Sequence, residues 1–167
     1  MKRRSKALNS RRLFQSLIVI KRIISKNNHI GLSYQNCDKY SWFEGQIYCT
    51  QMNMTLVEIK TEAKSLELYS LIKKAQEQKS IKGDYIWIGG ILNRFPTHQF
   101  VWLSTGEYFT YTNWYDNNPD FQDDNEFCVE LVMDENWKWN DDSCITTGGF
   151  ICECKEGTKK EETQNKF

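Results

Sequence analysis

The sequence predicts an α+β domain. Two helical patterns come early, at about residues 42–54 and 61–75, and short apolar runs separated by irregular segments fill the rest. Six cysteines, at 37, 49, 128, 144, 152 and 154, lack the Cys-x₂-Cys spacing of a zinc knuckle, and His29 and His98 lie far from them. An even, widely spaced set reads as disulfides, hence an oxidising compartment and a secreted protein. The segment from Gly89 to Phe127 is too long for an ordinary connection, and long loops in compact domains are usually functional.

The elements follow in order. His29 to Asn36 alternates loosely and is a candidate first strand. Ser41 is placed to N-cap a helix, with Glu44 at the capping-box position and Phe43, Ile47 and Met54 on one face. Leu56 to Ile59 is strand-like. Thr61 opens a second helix whose Leu66, Tyr69, Ile72 and Ala75 follow helical periodicity, and the polar run Gln76 to Gly83 ends it. Tyr85 to Ile88 signals a buried strand, with a turn at Gly89-Gly90. Further strands are expected at Phe100–Leu103, Cys128–Met133, Trp137–Asn140 and Phe150–Cys154. Trp87, Trp102, Trp114, Trp137 and Trp139 read as core and loop anchors.

Charge is uneven. Lys+Arg and Asp+Glu are equal at 22 each, but seven bases fall in the first 21 residues and the acids gather between Asp116 and Asp142. The folded part is therefore acidic, which disfavours a nucleic-acid partner. Residues 1–29 read as a basic, apolar leader or linker. The run Leu13 to Ile20 is barely long enough for a signal peptide, lacks a recognisable cleavage site, and is too short to span a bilayer. Residues 30–154 form the domain and 155–167 a charged tail.

The stretch from Asn113 to Cys144 concentrates carboxylates and amides around Pro119 between cysteines. Such oxygens are hard ligands, which suit Ca²⁺ rather than a soft metal. Paired acids such as Asp120 and Glu126 could in principle hydrolyse a glycoside. As calcium ligands they would stay ionised and fail as a general acid, and no nucleophile–histidine pair accompanies them. A binding protein is expected, not an enzyme.

Several motifs together resemble the C-type lectin domain: Trp42-Phe43-Glu44 with Cys49, Trp87-Ile88-Gly89, Asn113-Trp114, Asn118-Pro119-Asp120, Glu126-x-Cys128-Val129-Glu130, Trp139-Asn140-Asp141, Cys144 and Phe150-Ile151-Cys152-Glu153. Leu103-Ser104-Thr105-Gly106 before the Asn-Trp is similar to small secreted invertebrate lectins, including insect galactose-type ones. The resemblance implies the lectin fold, with short antiparallel sheets and a long calcium-binding loop, and disulfides Cys49–Cys152 and Cys128–Cys144. Cys37 and Cys154 are left as a third bridge or as free or intermolecular thiols.

It also implies a calcium site of Asn118, Asp120, Glu126, Asn140 and Asp141, with a cis peptide before Pro119. The same residues would bind a sugar diol on the ion. Asn-Pro-Asp keeps the amide-then-acid order of galactose-type members, although Asn118 is one methylene shorter than their Gln; mannose-type sugars are the other option. Phe121 or Tyr115 offers a ring for stacking, with loop packing as the alternative for Phe121. The family's auxiliary calcium site falls near Asn93, Thr97, Phe121 and Phe127, none of them a carboxylate. Asp116, Asp123, Asp124, Asp134, Glu135 and Asp142 read as solvated. Asn53-Met54-Thr55 is a glycosylation sequon. The rival reading is a module of this fold that grips a protein instead of a sugar. Weak single sites of this type favour multivalent use, so an oligomer is a possible partner state.

Overall fold

The computed structural model describes residues 23–24, 31–77, 84–133 and 136–154, with side chains from Tyr40 onward. Residues 1–22, 25–30 and 78–83, Asp134, Glu135 and the segment from residue 155 lie outside these residues, and with them most of the expected leader and of the polar run that was to end the second helix. The order is β1 (Ile23–Ile24), β2 (Gly31–Tyr40), α1 (Trp42–Gln51), β3 (Met54–Leu56), α2 (Glu62–Glu77), β4 (Tyr85–Asn93), β5 (Gln99–Trp102), β6 (Cys128–Val132), β7 (Lys138–Asp142) and β8 (Gly148–Cys154). The strands join as β1-β2-β8-β4-β6-β7, with β3 added to β8 and β5 to β4. The expected α+β class holds. The sheet is mixed, however, because β4 runs parallel to β8, with Trp87 opposite Phe150.

α1 begins as its sequence predicts. Ser41 accepts from the backbone of Glu44, and the Glu44 side chain takes the Ser41 N–H at 2.8 Å. Its buried face is not the expected one. Trp42, Gly45 and Cys49 point inward, whereas Phe43 and Ile47 are at least half exposed. Gly45 explains this: a Cβ there would sit 3.1 Å from the Phe150 side chain, so the missing side chain brings the helix onto β8. Cys49 then bonds to Cys152 on that strand. In α2 the buried residues are Leu68, Ile72 and Ala75, and Leu66 faces out.

β3 ends at Leu56, so the expected strand over Leu56 to Ile59 is shifted. Val57 to Ile59 are buried without strand pairing as a unit, though the Val57 N–H donates to Ile151 O at 2.9 Å. The expected turn at Gly89-Gly90 is likewise corrected, because β4 runs through both glycines. They serve close packing instead. A Cβ on Gly89 would lie 3.0 Å from Leu56 O, and one on Gly90 only 2.6 Å from Phe109 Cζ.

Among the described residues, two clusters of buried side chains form the core. One packs Trp42, Leu56, Trp87 and Phe150 around both disulfides. The other joins α2 to the aromatic rings of Phe100, Trp102 and Trp139. The Trp42 Nε1–H donates to Ile88 O at 2.8 Å and the Trp87 Nε1–H to Tyr40 O at 3.1 Å, so these buried indoles keep partners. Trp87, Trp102, Trp137 and Trp139 are buried and Trp114 is half-buried against the second cluster. The disulfides Cys49–Cys152 and Cys128–Cys144 close spans of 103 and 16 residues. In the chain-entropy view these stabilise by about 4–5 and about 3 kcal/mol. The Cys37 side chain lies outside the described residues, and a Cys37–Cys154 pairing with it.

Gly90→Ala should therefore cost about 1–3 kcal/mol, since its methyl must displace both Phe109 and Val129. A calorimetric scan checks this, and an unchanged melting temperature would show that the β4 backbone yields there.

Candidate functional site: an acidic cluster on the long loop

The chain between β5 and β6 has little regular structure, so specific ties must hold it. Its start folds back on itself: Trp102 N–H donates to Glu107 O, and Gly106 turns with a left-handed φ of 72°. Asn113 to Tyr115 then runs beside β7, with Trp139 N–H donating to Asn113 O and Tyr115 N–H to Trp139 O, both at 2.8 Å. At its far end Phe127 N–H donates to Asp142 O at 3.2 Å, just before Cys128 bonds to Cys144.

Asp141 on β7 makes the central tie. Its side chain is buried, and its two oxygens accept the backbone N–H groups of Asp120 (3.1 Å) and Phe121 (3.0 Å). Phe121 is left-handed, at φ 52°, a conformation that costs an ordinary side chain roughly 1–2 kcal/mol. The charge-assisted bond from its N–H to Asp141 offsets that cost. Gln122 N–H bridges the neighbouring acids, reaching Glu126 Oε2 at 3.0 Å and Asp120 Oδ1 at 3.3 Å.

As a result Asp120, Glu126 and Asp141 each offer an oxygen within 4.8 Å of the others. Ca²⁺–oxygen bonds are about 2.3–2.6 Å, so ligands of one ion lie at most about 5 Å apart. The three carboxylates meet that limit, and their hard oxygens fit the ion chemically. Without a cation they repel. Burial chiefly, then a shared hydrogen bond with Asp120 and the charges of Asp141 and Asp120, push the Glu126 carboxyl up to about 7. Asp141 is also raised, by burial first, against the pull of its backbone donors.

The two amides meet each other. Asn118 Nδ2 donates to Asn140 Oδ1, and Asn140 Nδ2 donates to Glu130 Oε1 at 3.2 Å. The Asn118–Pro119 peptide is cis. Glu130 lies directly opposite Asn140 on the β6–β7 ladder, is almost fully buried, and leaves Oε2 without a protein partner among the described residues. Burial drives its carboxyl up to about 8. From sequence alone Glu130 has no assigned role. An acid inside the apolar run Cys128–Met133 was the available signal.

Phe121 is half-buried, stacked on Phe100 at 6.0 Å and 5.0 Å from the His98 ring, so it packs the loop onto the core. Tyr115 stays partly exposed beside Lys138. Not all the surplus acids are merely solvated. Asp116 pairs with Lys138 at 2.8 Å, Asp124 binds Arg94 through both oxygens at 2.9 Å, and Asp142 accepts from the Thr146 hydroxyl. Of the four positions where the family's second ion would sit, Phe121 and Phe127 pack against the core. Asn53 is exposed in a left-handed turn after α1.

This combination of fold and loop defines a class, and comparison agrees. The family profile of the Lectin C-type domain matches residues 38–154. Salivary C-type lectin 2 of Aedes albopictus is 33% identical over 120 residues, covering 70% of this chain and 78% of the relative. A C-type lectin galactose-binding isoform from Hoplocephalus stephensii is 28% identical over 122 residues, covering 71% and 73%. The crystal structure of human lithostathine at 1.3 Å resolution superposes with a TM-score of 0.62 at 26% identity, covering 84% of this chain and 97% of that one. The chain belongs to the C-type lectin domain family. Its role is accordingly a lectin-type, carbohydrate-binding one, and not that of an enzyme. No helix among the described residues is long and apolar enough to cross a membrane.

The raised carboxyls set a pH dependence for the ion-free protein. Glu126 and Glu130 hold their protons in the folded chain up to about 7 and about 8, whereas the unfolded chain releases them near 4.5. Folding therefore takes up protons between those values, and stability falls as pH rises through that window. In EGTA, melting temperature should drop from pH 5 to pH 8. A rise over that range would contradict the account.

Proposed function

We propose that the chain is a calcium-dependent lectin, with Asn118, Asp120, Glu126, Asn140 and Asp141 holding one Ca²⁺ and the diol of a hexose. The observation that carries this reading is the convergence of three carboxylate oxygens within 4.8 Å on a loop bound to the sheet by Asp141. The residues would supply three charges against the ion's two, and amide oxygens from Asn118 and Asn140 complete an oxygen shell. When bound, the ion would orient vicinal hydroxyls. The carboxylates would then accept from those hydroxyls and the amide N–H groups donate to them. Asn140 enters this arrangement with one amide N–H on Glu130 and the second available to a sugar.

The order around Pro119, amide then acid, supports a galactose-type preference, as does a relative named for galactose binding. Phe121 would border the sugar through its backbone rather than as an open stacking face. Tyr115 is the more exposed of the two rings. Secretion is supported by the two disulfides and by relatives named salivary lectins. Recognition of foreign or host glycans, including a place in innate immunity, fits a small secreted lectin. Association into oligomers would raise the avidity of a shallow site.

The test is retention on galactose and mannose resins with calcium and with EGTA. Calcium-dependent retention on galactose supports the reading, and calcium-independent protein capture with no sugar retention favours the rival module. Glu126→Gln and Asp141→Ala should each lower calcium affinity at least tenfold and remove sugar retention. Glu126→Gln preserves the shape of the loop, so its unchanged retention would refute the assignment. Exchanging Asn118→Glu with Asp120→Asn should shift preference toward mannose.

A further inference from the structure

The triplet Asn53-Met54-Thr55 has no part in the acidic cluster, and it is the one Asn-x-Ser/Thr sequence in the chain. Such triplets also arise by chance, so its use depends on where the fold puts it. Asn53 closes the turn after α1. Its N–H donates to Thr50 O at 2.9 Å, and its φ of 57° lies in the left-handed region, which asparagine tolerates. The residue is exposed, so a bulky group on its side-chain nitrogen needs no room inside the fold.

Thr55 is placed in the opposite way. It is 5% exposed on β3 and lies opposite Glu153 on β8. A transferase that must read the Thr55 hydroxyl cannot reach it once β3 has joined β8. Among the described residues β8 is the strand that β3 pairs with, and it begins only at Gly148. At synthesis rates of about 5–20 residues per second, the triplet stays unpaired for roughly 5–20 s before β8 has been made. The Cys49–Cys152 bridge, which ties α1 to β8, waits for the same strand.

We infer that Asn53 is a site of N-linked glycosylation, modified before β3 pairs with β8. This rests on the secretion proposed above. In the reaction the Asn53 Nδ2 bonds to the anomeric carbon of an oligosaccharide carried on a lipid pyrophosphate. The anomeric C–O bond breaks, the lipid pyrophosphate leaves with its electron pair, and the amide proton passes to solvent, with no change of oxidation state. The glycan stands clear of the carboxylate cluster in the order of strands. β3 lies on β8, and β4 and β6 stand between β8 and β7, which carries Asn140 and Asp141.

The experiment translates the full chain in the presence of microsomal membranes, with its own N terminus and with a cleavable secretory signal placed ahead of it. The signal-led chain should gain one glycan-sized step in mass, removed by N-glycosidase. Asn53→Gln and Thr55→Val should lose that step, and Thr55→Ser, which keeps a hydroxyl, should retain it. None of these readouts needs the variant to fold. Solubilised transferase should modify the purified chain when it is reduced and unfolded, and not when it is folded and oxidised. A signal-led chain that is protected from protease inside the membranes yet carries no glycan overturns the site, as does a step that survives in Asn53→Gln. Equal modification of the folded chain overturns the timing. Entry of the chain with its own N terminus tests the secretion reading separately. If that chain stays outside, the secretion reading loses its support, and Asn53 is still decided by the signal-led chain.

Discussion

The hydrogen bonds from the backbone of Asp120 and Phe121 to the buried Asp141 carboxylate are the constraint on which the site depends. The loop before β6 cannot rely on ladder pairing, so its position is set by what grips it. Asp141 holds its middle, the Cys128–Cys144 disulfide its exit, and the Asn113–Tyr115 run along β7 its entry. The same strand therefore supplies the core's Trp139, the amide of Asn140 and the anchor at Asp141.

The arrangement carries an electrostatic conflict. Three carboxylates share a space suited to one ion, and burial lifts Glu126 and Glu130 far from their ordinary values. Protons answer the conflict at low pH. In the proposed reading a divalent cation would answer it at neutral pH and, unlike protons, would leave the carboxylates able to accept from sugar hydroxyls. Glu130 makes the clearest case for a supporting role. It costs desolvation beneath Asn140, and in return it fixes one edge of that amide.

Much of this was legible in the sequence, and the exceptions have physical causes. Ser41 and Glu44 announced the first helix because capping is a local interaction. The five proposed ligand positions came from the family resemblance, and the structure brings the carboxylates of three of them, Asp120, Glu126 and Asp141, together. The inward face of α1 was misread, since Gly45 contributes by having no side chain and no apolar count registers that. Gly89 and Gly90 read as a turn for the same reason, while the structure uses them for close approach within a strand. The parallel β4–β8 pair, the inward packing of Phe121, and the Arg94–Asp124 tie all join residues remote in sequence. No local pattern encodes such contacts.

Calcium titration calorimetry of the wild-type protein tests the central claim most directly. One ion per chain, bound with proton release near neutral pH, is the result that a single site built on Asp120, Glu126 and Asp141 requires. No binding, or a stoichiometry of two, would contradict it.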